Sequence, residues 1–417
     1  MTASIITIGD ELLIGQVIDT NSAWMAQELS KHGIAVKRRV AVGDSWDDIW
    51  RALDEESLHS GIILITGGLG PTADDITKPL LCSYFGGKMV VNEQALANVT
   101  HIFENLYKKP VSPRNLKQAE VPDNCTVIMN QRGTAPGMWF EKNGKVFVSM
   151  PGVPHEMKGM MEHDVIPELC KKFQFPIITH RSLLTAGIGE SALADLIQSW
   201  EENLPPHIKL AYLPNYGMVR LRLSSQGSDD AVVKETHQHF QELLHLVRDY
   251  LVTDRDEPIE SFMGRLLQSR KETVCTAESC TGGFISHLLT SIPGASAYVE
   301  GGFVSYSYAA KESLLEIPNE LLIEKGAVSE EVVRLMATHS RERLKTDYSI
   351  AVSGILGPDG GMPGKPVGTV WIAVASKSKM VSRCFHFRFD RARNTQLTAV
   401  NALNMLRLLI ISPPSSA

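Results

Sequence analysis

The sequence predicts an α/β protein of three domains, and three observations support this. The chain has 417 residues, which at about 150 residues per domain corresponds to roughly three domains. In its first and last parts, short β-branched runs alternate with amphipathic stretches, the pattern of parallel strands joined by right-handed crossover helices. Between them lies a shorter part with two helical stretches and three short strands, which predicts a small α+β module.

The first domain is predicted to span residues 1–172 and to contain a doubly wound, mostly parallel sheet. Three β-branched runs each lead through a glycine-containing turn into an amphipathic stretch. A longer helix ends before Pro110 and Pro113, because proline cannot continue a helix. The predicted strands are Ser4–Ile8, Val36–Val42, Ile62–Thr66, Thr126–Met129, Met138–Phe140 and Lys145–Met150, and the predicted helices are Asn21–His32, Asp47–Glu56, Thr77–Phe85, Asn92–Tyr107 and His155–Lys172.

The second domain is predicted to span residues 176–252. A domain this small buries little surface by itself, so we expect it to pack on a neighbouring domain. Its predicted elements are the strands Arg181–Ala186, Lys209–Leu213 and Met218–Ser224 and the helices Ser191–Trp200 and Asp229–Tyr250. The polar stretch Thr253–Pro258 that follows is predicted to be a linker.

The third domain is predicted to span residues 259–412 and to be an α/β domain. It ends in a helix that begins near Arg393, and the Pro/Ser-rich tail Ser412–Ala417 is expected to fray. The other predicted elements are the helix Ile259–Lys271 and the strands Thr273–Ala277, Tyr298–Ser305, Tyr348–Ser353, Thr369–Ala375 and Cys384–Phe389.

Composition and charge exclude several classes of protein. Hydrophobic residues make up 43% and charged residues 21% of the chain, which excludes a disordered chain. The net charge of −6 argues against a protein that coats nucleic acid or a membrane surface. The six cysteines form no C-x-x-C pair and the start has no basic segment ahead of an apolar one. We therefore expect reduced thiols and a cytoplasmic location.

Two loops of the first domain predict a phosphate-binding site. Gly67, Gly68 and Gly70, with Thr72, follow the third strand, and glycines let backbone N–H groups approach a phosphate closely. The first strand is followed by a second loop, and both loops lie at carboxyl ends of parallel strands, where α/β sheets bind ligands. Carboxylates beside a phosphate usually hold a divalent cation, and the candidates on these loops are Asp10, Glu11, Asp74 and Asp75.

Each of these loops also has a purely structural explanation. Asp74 and Asp75 can cap the next helix, and the glycines can simply form turns. For one loop alone this explanation is the better one. Two such loops at one edge of a sheet favour a phosphorylated ligand instead.

The third domain contains a candidate nucleophile. Ser279 follows a strand and precedes an amphipathic stretch, so the backbone N–H groups from Cys280 to Gly282 can stabilise an oxyanion in front of it. Gly282 and Gly283 would lie early in the helix, where each costs about 1 kcal/mol relative to alanine, and this favours a functional reason for them. Ser279 can equally be a helix N-cap. Thr281 is the alternative hydroxyl.

A serine nucleophile needs a base, and Lys311 is the best candidate. It lies on the first turns of a helix that follows another strand, whose end carries Tyr306. A lysine acts as a base only when burial or a neighbouring cation lowers its pKa. The long glycine-rich loop around Gly354, Gly357 and Gly360 can hold a phosphate with its backbone N–H groups, and Arg391 offers a bidentate anion contact.

These motifs resemble those of the CinA (competence/damage-inducible protein A) family. In the first two domains the resemblance rests on Gly9–Leu12, the Thr66–Asp75 loop, Met150–Met157 and Gly187–Ser191. It implies that the first domain is molybdopterin-binding-like and hydrolyses ADP-ribose to AMP and ribose 5-phosphate with a divalent cation.

The third domain resembles the nicotinamide-nucleotide amidohydrolase domain found alone or at the C-terminus of CinA proteins. The segments Ala277–Gly283, Val304–Lys311 and Ser353–Gly368 carry this resemblance. It implies metal-free hydrolysis of nicotinamide mononucleotide to nicotinate mononucleotide and ammonia, with Ser279 as nucleophile and Lys311 as its base. Tyr306 would support them, Arg391 would contact substrate, and the protein would be a homodimer.

The chain departs from the family pattern at two places. Tyr308 stands where the family usually has asparagine, and Phe389 stands where it usually has glycine before the Asp-Arg pair. We expect the Tyr308 change to remove one polar contact. Both changes concern the surroundings of the predicted site and leave Ser279 and Lys311 in place.

Two other functions compete with a bifunctional enzyme. The loops of the first domain, taken alone, also predict a pterin-binding or adenylyl-transferring protein. The family name suggests a non-enzymatic partner in DNA uptake or recombination. The acidic net charge and the absence of a basic, aromatic-rich tract argue against direct contact with DNA.

Overall fold

The computed structural model describes residues 1–227 and 230–411, which form two compact units. The first unit comprises residues 1–179 with the described part of 226–233, and the second comprises residues 180–225 and those from 234 onward. No helix within the described ranges is both long enough and apolar enough to cross a membrane. The predicted tail Ser412–Ala417 lies outside the described residues.

The first unit contains the predicted doubly wound sheet. The strand order is β2-β1-β3-β8-β7-β6; the first four strands in this order are parallel, whereas β7 and β6 are antiparallel to their neighbours. A short antiparallel pair, β4 and β5, was not predicted. The strands of this unit are β1 (Thr2–Ile8), β2 (Ala35–Val42), β3 (Ile62–Thr66), β4 (Met89–Val91), β5 (Glu120–Pro122), β6 (Thr126–Ile128), β7 (Gly137–Lys142) and β8 (Lys145–Met150).

Two hydrophobic cores cover the two faces of this sheet. Because side chains alternate along a strand, Ile5 and Leu64 belong to one core and Ile6 and Ile65 to the other. The helices are α1 (Asp10–Leu13), α2 (Thr20–Lys31), α3 (Trp46–His59), α4 (Thr77–Phe85), α5 (Glu93–His101) with a π turn at Ile102–Leu106, α6 (Pro113–Leu116) with a 3-10 turn at Lys117–Ala119, and α7 (Pro154–Met160) joined through a π turn at Met161–Val165 to α8 (Ile166–Lys172).

The second unit begins with a four-stranded sheet in the order β10-β11-β9-β12. The fourth strand was not predicted, because the segment is only three residues long; it pairs with Leu184 and Thr185. The predicted start of the second helix, Asp229, lies outside the described residues. The elements are β9 (Ile177–Ala186), α9 (Glu190–Glu201), β10 (Ile208–Asn215), β11 (Met218–Gly227), α10 (Asp230–Leu246) and β12 (Leu251–Thr253).

This small module packs on the last domain, as its size led us to expect. Leu184, Met218 and Val252 share one hydrophobic core with Ile259 and Leu403. Polar contacts add to this packing: Arg220 pairs with Asp256, and Arg407 Nη1 donates to the Leu251 carbonyl at 2.8 Å.

The last domain contains a five-stranded sheet in the order β14-β13-β15-β16-β17. The first three strands in this order are parallel and the last two are antiparallel. The strands are β13 (Val274–Glu278), β14 (Val299–Val304), β15 (Tyr348–Gly354), β16 (Thr369–Ala375) and β17 (Met380–His386), and the helices are α11 (Ile259–Arg270), α12 (Phe284–Thr290), α13 (Tyr308–Leu315), α14 (Asn319–Lys325), α15 (Glu330–Leu344) and α16 (Arg391–Ile411).

Two predicted boundaries in this domain were wrong. The last strand was predicted at Cys384–Phe389, but β17 begins at Met380, because the turn after β16 is tight and closes with Ser376 N donating to Lys379 O. The last helix begins at Arg391 rather than near Arg393. Asp390 explains this difference, since its carboxylate accepts from Arg393 N at 2.9 Å and so caps the helix.

Candidate active site

The strand order of the last domain brings three distant segments together. β13 lies between β14 and β15, and all three strands are parallel. Their carboxyl ends therefore meet at one edge of the sheet, where Ser279 follows β13, Ser305 follows β14 and the glycine-rich loop follows β15. Ser279 N donates to Val352 O at 3.1 Å and Ser305 N donates to Glu278 O at 2.9 Å, so backbone hydrogen bonds fix all three segments.

Lys311 contacts Ser279 directly. Lys311 lies in the first turn of α13 and is 0% exposed, and Ser279 is 8% exposed. The Nζ atom of Lys311 is 2.9 Å from Ser279 Oγ and also donates to the backbone carbonyls of Ser305, at 2.7 Å, and Tyr306, at 3.2 Å. These three oxygens match the three donors of a lysine ammonium group. The predicted pair of nucleophile and base is therefore in hydrogen-bond contact.

Burial lowers the pKa of Lys311, as is required of a lysine that acts as a base. Desolvation lowers the pKa of Lys311 from 10.5 to about 8, because the charged form loses its hydration. In the neutral amine, the two N–H groups can donate to the carbonyls of Ser305 and Tyr306. The remaining lone pair then faces the Ser279 hydroxyl, which is the arrangement for removing its proton.

Glu278 is a buried residue that the sequence analysis missed. It is 0% exposed, and its carboxylate accepts hydrogen bonds from Gly283 N, Ile285 N and Ser286 N at 2.8–3.1 Å. These are N–H groups at the beginning of α12, which have no partner inside the helix. Glu278 therefore anchors the start of α12 directly beside Ser279. The sequence feature that could have identified Glu278 is its position at the end of a buried strand, next to the candidate nucleophile.

The surroundings of Ser279 differ from the prediction in two respects. Gly282 and Gly283 lie before α12 and not within it, at φ angles of 62° and 98°, a region that favours glycine. The Thr281 hydroxyl donates to Glu278 Oε2 at 2.6 Å, so the contact with Lys311 belongs to Ser279 and not to Thr281.

Only some of the predicted oxyanion donors are available. Gly282 N donates to Ser279 O, whereas the N–H groups of Cys280 and Thr281 donate to no other residue within the described ranges. The thiol of Cys280 is not a competing nucleophile, because burial raises its pKa to about 12. Its backbone N–H is the group that can act here.

Arg391 connects two of the three segments. Its Nη1 donates to Gly357 O at 2.8 Å and its Nη2 donates to Tyr306 Oη at 3.2 Å. A guanidinium has five donors, so Arg391 keeps donors for a ligand beyond these two contacts. Tyr306 is 61% exposed.

The other glycines of this loop have structural explanations. A Cβ at Gly354 would lie 2.7 Å from Val370 Cγ2, so this glycine permits close packing of β15 against β16. Gly360 is exposed and has a φ of 96°, a backbone conformation that favours glycine. These observations explain both glycines without a contact to a ligand.

The two departures from the family pattern make their own contacts. Tyr308 Oη accepts a hydrogen bond from Ala327 N at 3.3 Å, so this position retains a polar contact. The Arg393 guanidinium lies 3.9 Å from the centre of the Phe389 ring, which is a cation–π contact. Both residues lie beside the segments of the site, and neither contacts Ser279 or Lys311 through these interactions.

The first unit contains a separate cavity of about 420 Å³ at the predicted phosphate loop. Gly67, Gly68 and Gly70 line it, whereas Thr72 does not. A Cβ at Gly67 would lie 2.3 Å from Ile8 O, and one at Gly68 would lie 2.1 Å from Thr77 Oγ1. Only glycine therefore fits at these two positions, which keeps the backbone of the loop accessible from the cavity.

The predicted metal ligands do not converge on one point. Glu11, Asp74 and Asp75 line the cavity, but Asp10 does not. The carboxylate of Asp75 accepts from Gly70 N at 2.7 Å and from Thr72 N at 2.8 Å, so it stabilises its own loop. Within 1–227 and 230–411, no three His, Cys, Asp or Glu side chains are grouped so that they could hold a metal ion by themselves.

Two further carboxylates of this cavity were missed. Asp44 and Glu156 both line it. Burial raises the pKa of both groups, and the charges of Asp10, Glu11 and Asp74 raise that of Asp44 further. Such crowding of negative charge favours binding of a cation. Mg²⁺ commonly uses one or two protein carboxylates together with substrate phosphates, so a divalent cation beside Asp44 would need the phosphate oxygens of a ligand to complete its coordination.

Three family models match the chain, and together they cover almost all of it. They are described as the probable molybdopterin binding domain, at residues 4–171, the damage-inducible protein CinA KH domain, at residues 180–251, and the CinA C-terminal domain, at residues 256–410.

Curated relatives are similar over their full length. A CinA-like protein of Cytophaga hutchinsonii is 45% identical over 97% of this chain and 97% of its own length. A putative competence-damage inducible protein of Caldicellulosiruptor bescii is 39% identical over 99% of this chain and 100% of its own. Among solved structures, the competence/damage inducible protein CihA of Agrobacterium tumefaciens is 34% identical, covers 38% of this chain and 99% of its own, and has a TM-score of 0.36.

Proposed function

The chain belongs to the CinA family, and on that premise we propose that it is a hydrolase with two activities on nucleotides. The last domain hydrolyses the carboxamide of nicotinamide mononucleotide to nicotinate mononucleotide and ammonia. The first domain hydrolyses ADP-ribose to AMP and ribose 5-phosphate with a divalent cation. The observation that carries the proposal is the 2.9 Å contact between buried Lys311 and Ser279.

The amidohydrolase reaction follows from the protonation states of this pair. Neutral Lys311 takes the Ser279 hydroxyl proton while Oγ forms a bond to the carboxamide carbon. The resulting ammonium of Lys311 then gives this proton to the leaving nitrogen, and ammonia departs as the acyl-enzyme ester forms. A water molecule, deprotonated by Lys311, attacks the ester and releases the carboxylic acid product with Ser279 restored.

The groups around the pair have defined tasks in this reaction. The N–H groups of Cys280 and Thr281 stabilise the negative oxygen of the tetrahedral intermediate, and removal of one such donor typically costs about 10²–10³ in rate. The carbonyls of Ser305 and Tyr306 hold Lys311 Nζ in place throughout. Arg391, held by Gly357 and Tyr306, directs its remaining donors to the substrate phosphate.

The activity of the first domain rests on its cavity. The Gly67–Gly70 loop binds the pyrophosphate through its backbone, and Glu11, Asp44 and Asp74 hold a divalent cation together with the phosphate oxygens. The cation, when bound, neutralises phosphate charge and polarises the bond that is hydrolysed. The carboxylates of this chain orient the ligand and confine the cation to the cavity.

Two assays on the full chain test the proposal. We expect ammonia release from nicotinamide mononucleotide that a chelator does not change, and AMP formation from ADP-ribose that the chelator abolishes. Absence of ammonia release would refute the amidohydrolase, and absence of AMP formation with any divalent cation would refute the pyrophosphatase. Binding of a pterin in place of ADP-ribose would favour the competing assignment of the first domain.

A further inference from the structure

The sheet of the middle module (β9–β12) has one face, here called the open face, that the helices of the module do not cover. Leu183, Leu221 and Leu223 lie on the other face, in a hydrophobic core with residues of α9 and α10. Because successive side chains of a strand alternate between the two faces, their neighbours along the strands lie on the open face. At one end of it, Leu184 and Met218 pack on the last domain. The opposite end carries polar and charged side chains.

Three strands bring these charged side chains together. Arg222 on β11 lies directly opposite Ala211 on β10, and Ser224 lies directly opposite Lys209. On β9, His180 Nδ1 is 2.8 Å from Ser224 Oγ. Residues that lie directly opposite each other in an antiparallel pair share a face, so Lys209, Arg222 and His180 all lie at this end of the open face.

Arg222 carries a positive charge without an internal counter-ion. The residue is partly buried, and its Nε atom is buried and donates to no group within the described ranges. Arg220, the next residue of β11 on the open face, pairs with Asp256, whereas none of the ion pairs among the described residues includes Arg222. Removing a charge from water is unfavourable unless a partner of opposite charge compensates. An anion from outside the chain would supply this partner.

The surroundings of Arg222 are positive on balance. Lys209 is exposed and is a diagonal neighbour of Arg222 across the two strands, a separation that long side chains can bridge. Burial and, after it, the charge of Arg222 lower the pKa of His180, and Asp256 opposes this only in part. The electrostatic potential at this end of the open face therefore favours a negatively charged ligand.

The size and composition of this cluster fit a single phosphate group. Neighbouring strands lie about 4.8 Å apart, so the cluster is about 10 Å wide from β9 to β10. A guanidinium binds phosphate through two parallel N–H···O bonds, and a lysine adds a second positive charge. A single-stranded nucleic acid would need a longer positive groove and aromatic side chains for its bases. The aromatic residue of β10, Tyr212, packs against the core on the opposite face.

We propose that Arg222 and Lys209 form a binding site for a phosphate monoester on the middle module. Arg222 contacts two phosphate oxygens, Lys209 approaches a third, and His180 lies beside the bound group. All three residues belong to the segment 180–225, so the site is distinct from the glycine-loop cavity and from the Ser279–Lys311 pair. It goes beyond the two proposed activities, although AMP, ribose 5-phosphate and both nicotinamide-type mononucleotides carry the group that it binds.

The imidazole of His180 provides a signal that is local to this site. Its NMR resonance in the full chain, identified by its loss in His180→Gln, is followed while inorganic phosphate or ribose 5-phosphate is added. Sodium chloride at the same ionic strength is the reference, because salt by itself screens the charge of Arg222. We expect both phosphate probes to raise the pKa of His180 beyond the change that chloride causes, since a nearby anion stabilises the imidazolium.

Arg222→Gln tests the contact itself. We expect this variant to bind phosphate at least about tenfold more weakly, because it loses the charged hydrogen bonds. Without phosphate, the same substitution raises the pKa of His180, because the charge of Arg222 is removed, and this change shows that the site is still folded. The matched control is Arg181→Gln, which is exposed on the same strand but on the opposite face, and it leaves the phosphate affinity unchanged.

Three results would overturn the proposal. If phosphate changes the His180 titration no more than chloride does, no phosphate binds at this site. If Arg222→Gln binds phosphate as tightly as the unsubstituted chain, Arg222 does not hold it. If a short single-stranded oligothymidylate shifts the His180 resonance at a lower concentration than ribose 5-phosphate does, the site belongs to nucleic acid and not to a phosphate monoester.

Discussion

The proposed chemistry depends on the burial of Lys311. A lysine on the first turn of a helix is normally solvated, but Lys311 is completely buried and contacts the residues that directly follow β13 and β14. Two backbone carbonyls and Ser279 Oγ are its only polar contacts within the described ranges. Because no carboxylate is among them, burial destabilises the ammonium without compensation by an ion pair.

The pH dependence of ammonia release reports on this lysine. With a pKa of about 8, about 1% of Lys311 is neutral at pH 6, and the neutral fraction rises tenfold per pH unit until about pH 8. We expect kcat/KM for nicotinamide mononucleotide to follow the same course between pH 6 and 9.5 and to level off above pH 8. A profile that is flat between pH 6 and 8 would argue against Lys311 as the base.

The Ser279–Lys311 pair was predictable from sequence, whereas the network around it was not. Each of the two residues follows a strand with a recognisable motif, and parallel strands bring their carboxyl ends to one edge. Glu278 carries only a weak signal, its position at the end of a buried strand beside Ser279, because an acidic residue at the end of a strand is usually solvated. Asp44 was missed although Gly43 and Asp44 follow β2 as Gly9 and Asp10 follow β1, and the fold places it beside Glu11 and Asp74.

At the scale of elements, α12 depends on Glu278. The carboxylate accepts five hydrogen bonds, three from backbone N–H groups and two from the hydroxyls of Thr281 and Ser286. Because Ser279 immediately follows Glu278, the same contacts fix the turn that presents the nucleophile. These contacts hold the start of α12 beside Ser279, where the proposed reaction takes place.

Glu278→Gln tests this dependence. One carboxylate oxygen becomes an NH₂ group that faces N–H donors, and we expect the free energy of unfolding to fall by about 2 kcal/mol, as for a buried unsatisfied group. Urea unfolding followed by circular dichroism measures the change. Glu320→Gln, on the exposed face of α14, is the control and should leave the unfolding midpoint unchanged. Equal midpoints of the two variants would contradict the capping role.

Strand and helix positions followed from sequence wherever the hydrophobic pattern was strong. The buried strands β1, β3 and β15 agree with their predictions to within two residues, because each is a short buried run bounded by turn residues. The exposed strand β17 was misplaced, since its burial alternates only weakly and the tight turn before it carries no glycine. The three-residue strands β4, β5 and β12 were missed because pairing partners far along the chain define them.

At the scale of the whole molecule, the two candidate sites lie in different compact units. The middle module shares a hydrophobic core with the last domain, so the Ser279–Lys311 site belongs to a unit larger than its own sheet. The phosphate cavity is built entirely from residues of the first unit. The residues of each candidate site therefore come from a single unit, and we expect the two proposed activities to be separable.

Asp74→Asn tests that separation. The substitution removes a carboxylate from the phosphate cavity, so we expect ADP-ribose hydrolysis to fall at least 100-fold while ammonia release stays within twofold. Both rates are measured on one preparation with saturating Mg²⁺. A parallel loss of ammonia release would mean that the two sites are coupled.

The most direct measurement of the central claim is ammonia release from nicotinamide mononucleotide by the unsubstituted chain and by Ser279→Ala. The variant retains Lys311 and the backbone N–H groups but has no oxygen to attack the carboxamide. We expect its rate to fall by at least 10³, while Ser291→Ala, the same change at the end of α12, keeps full activity. Release by Ser279→Ala at a rate near that of the unsubstituted chain would contradict the Ser279–Lys311 mechanism.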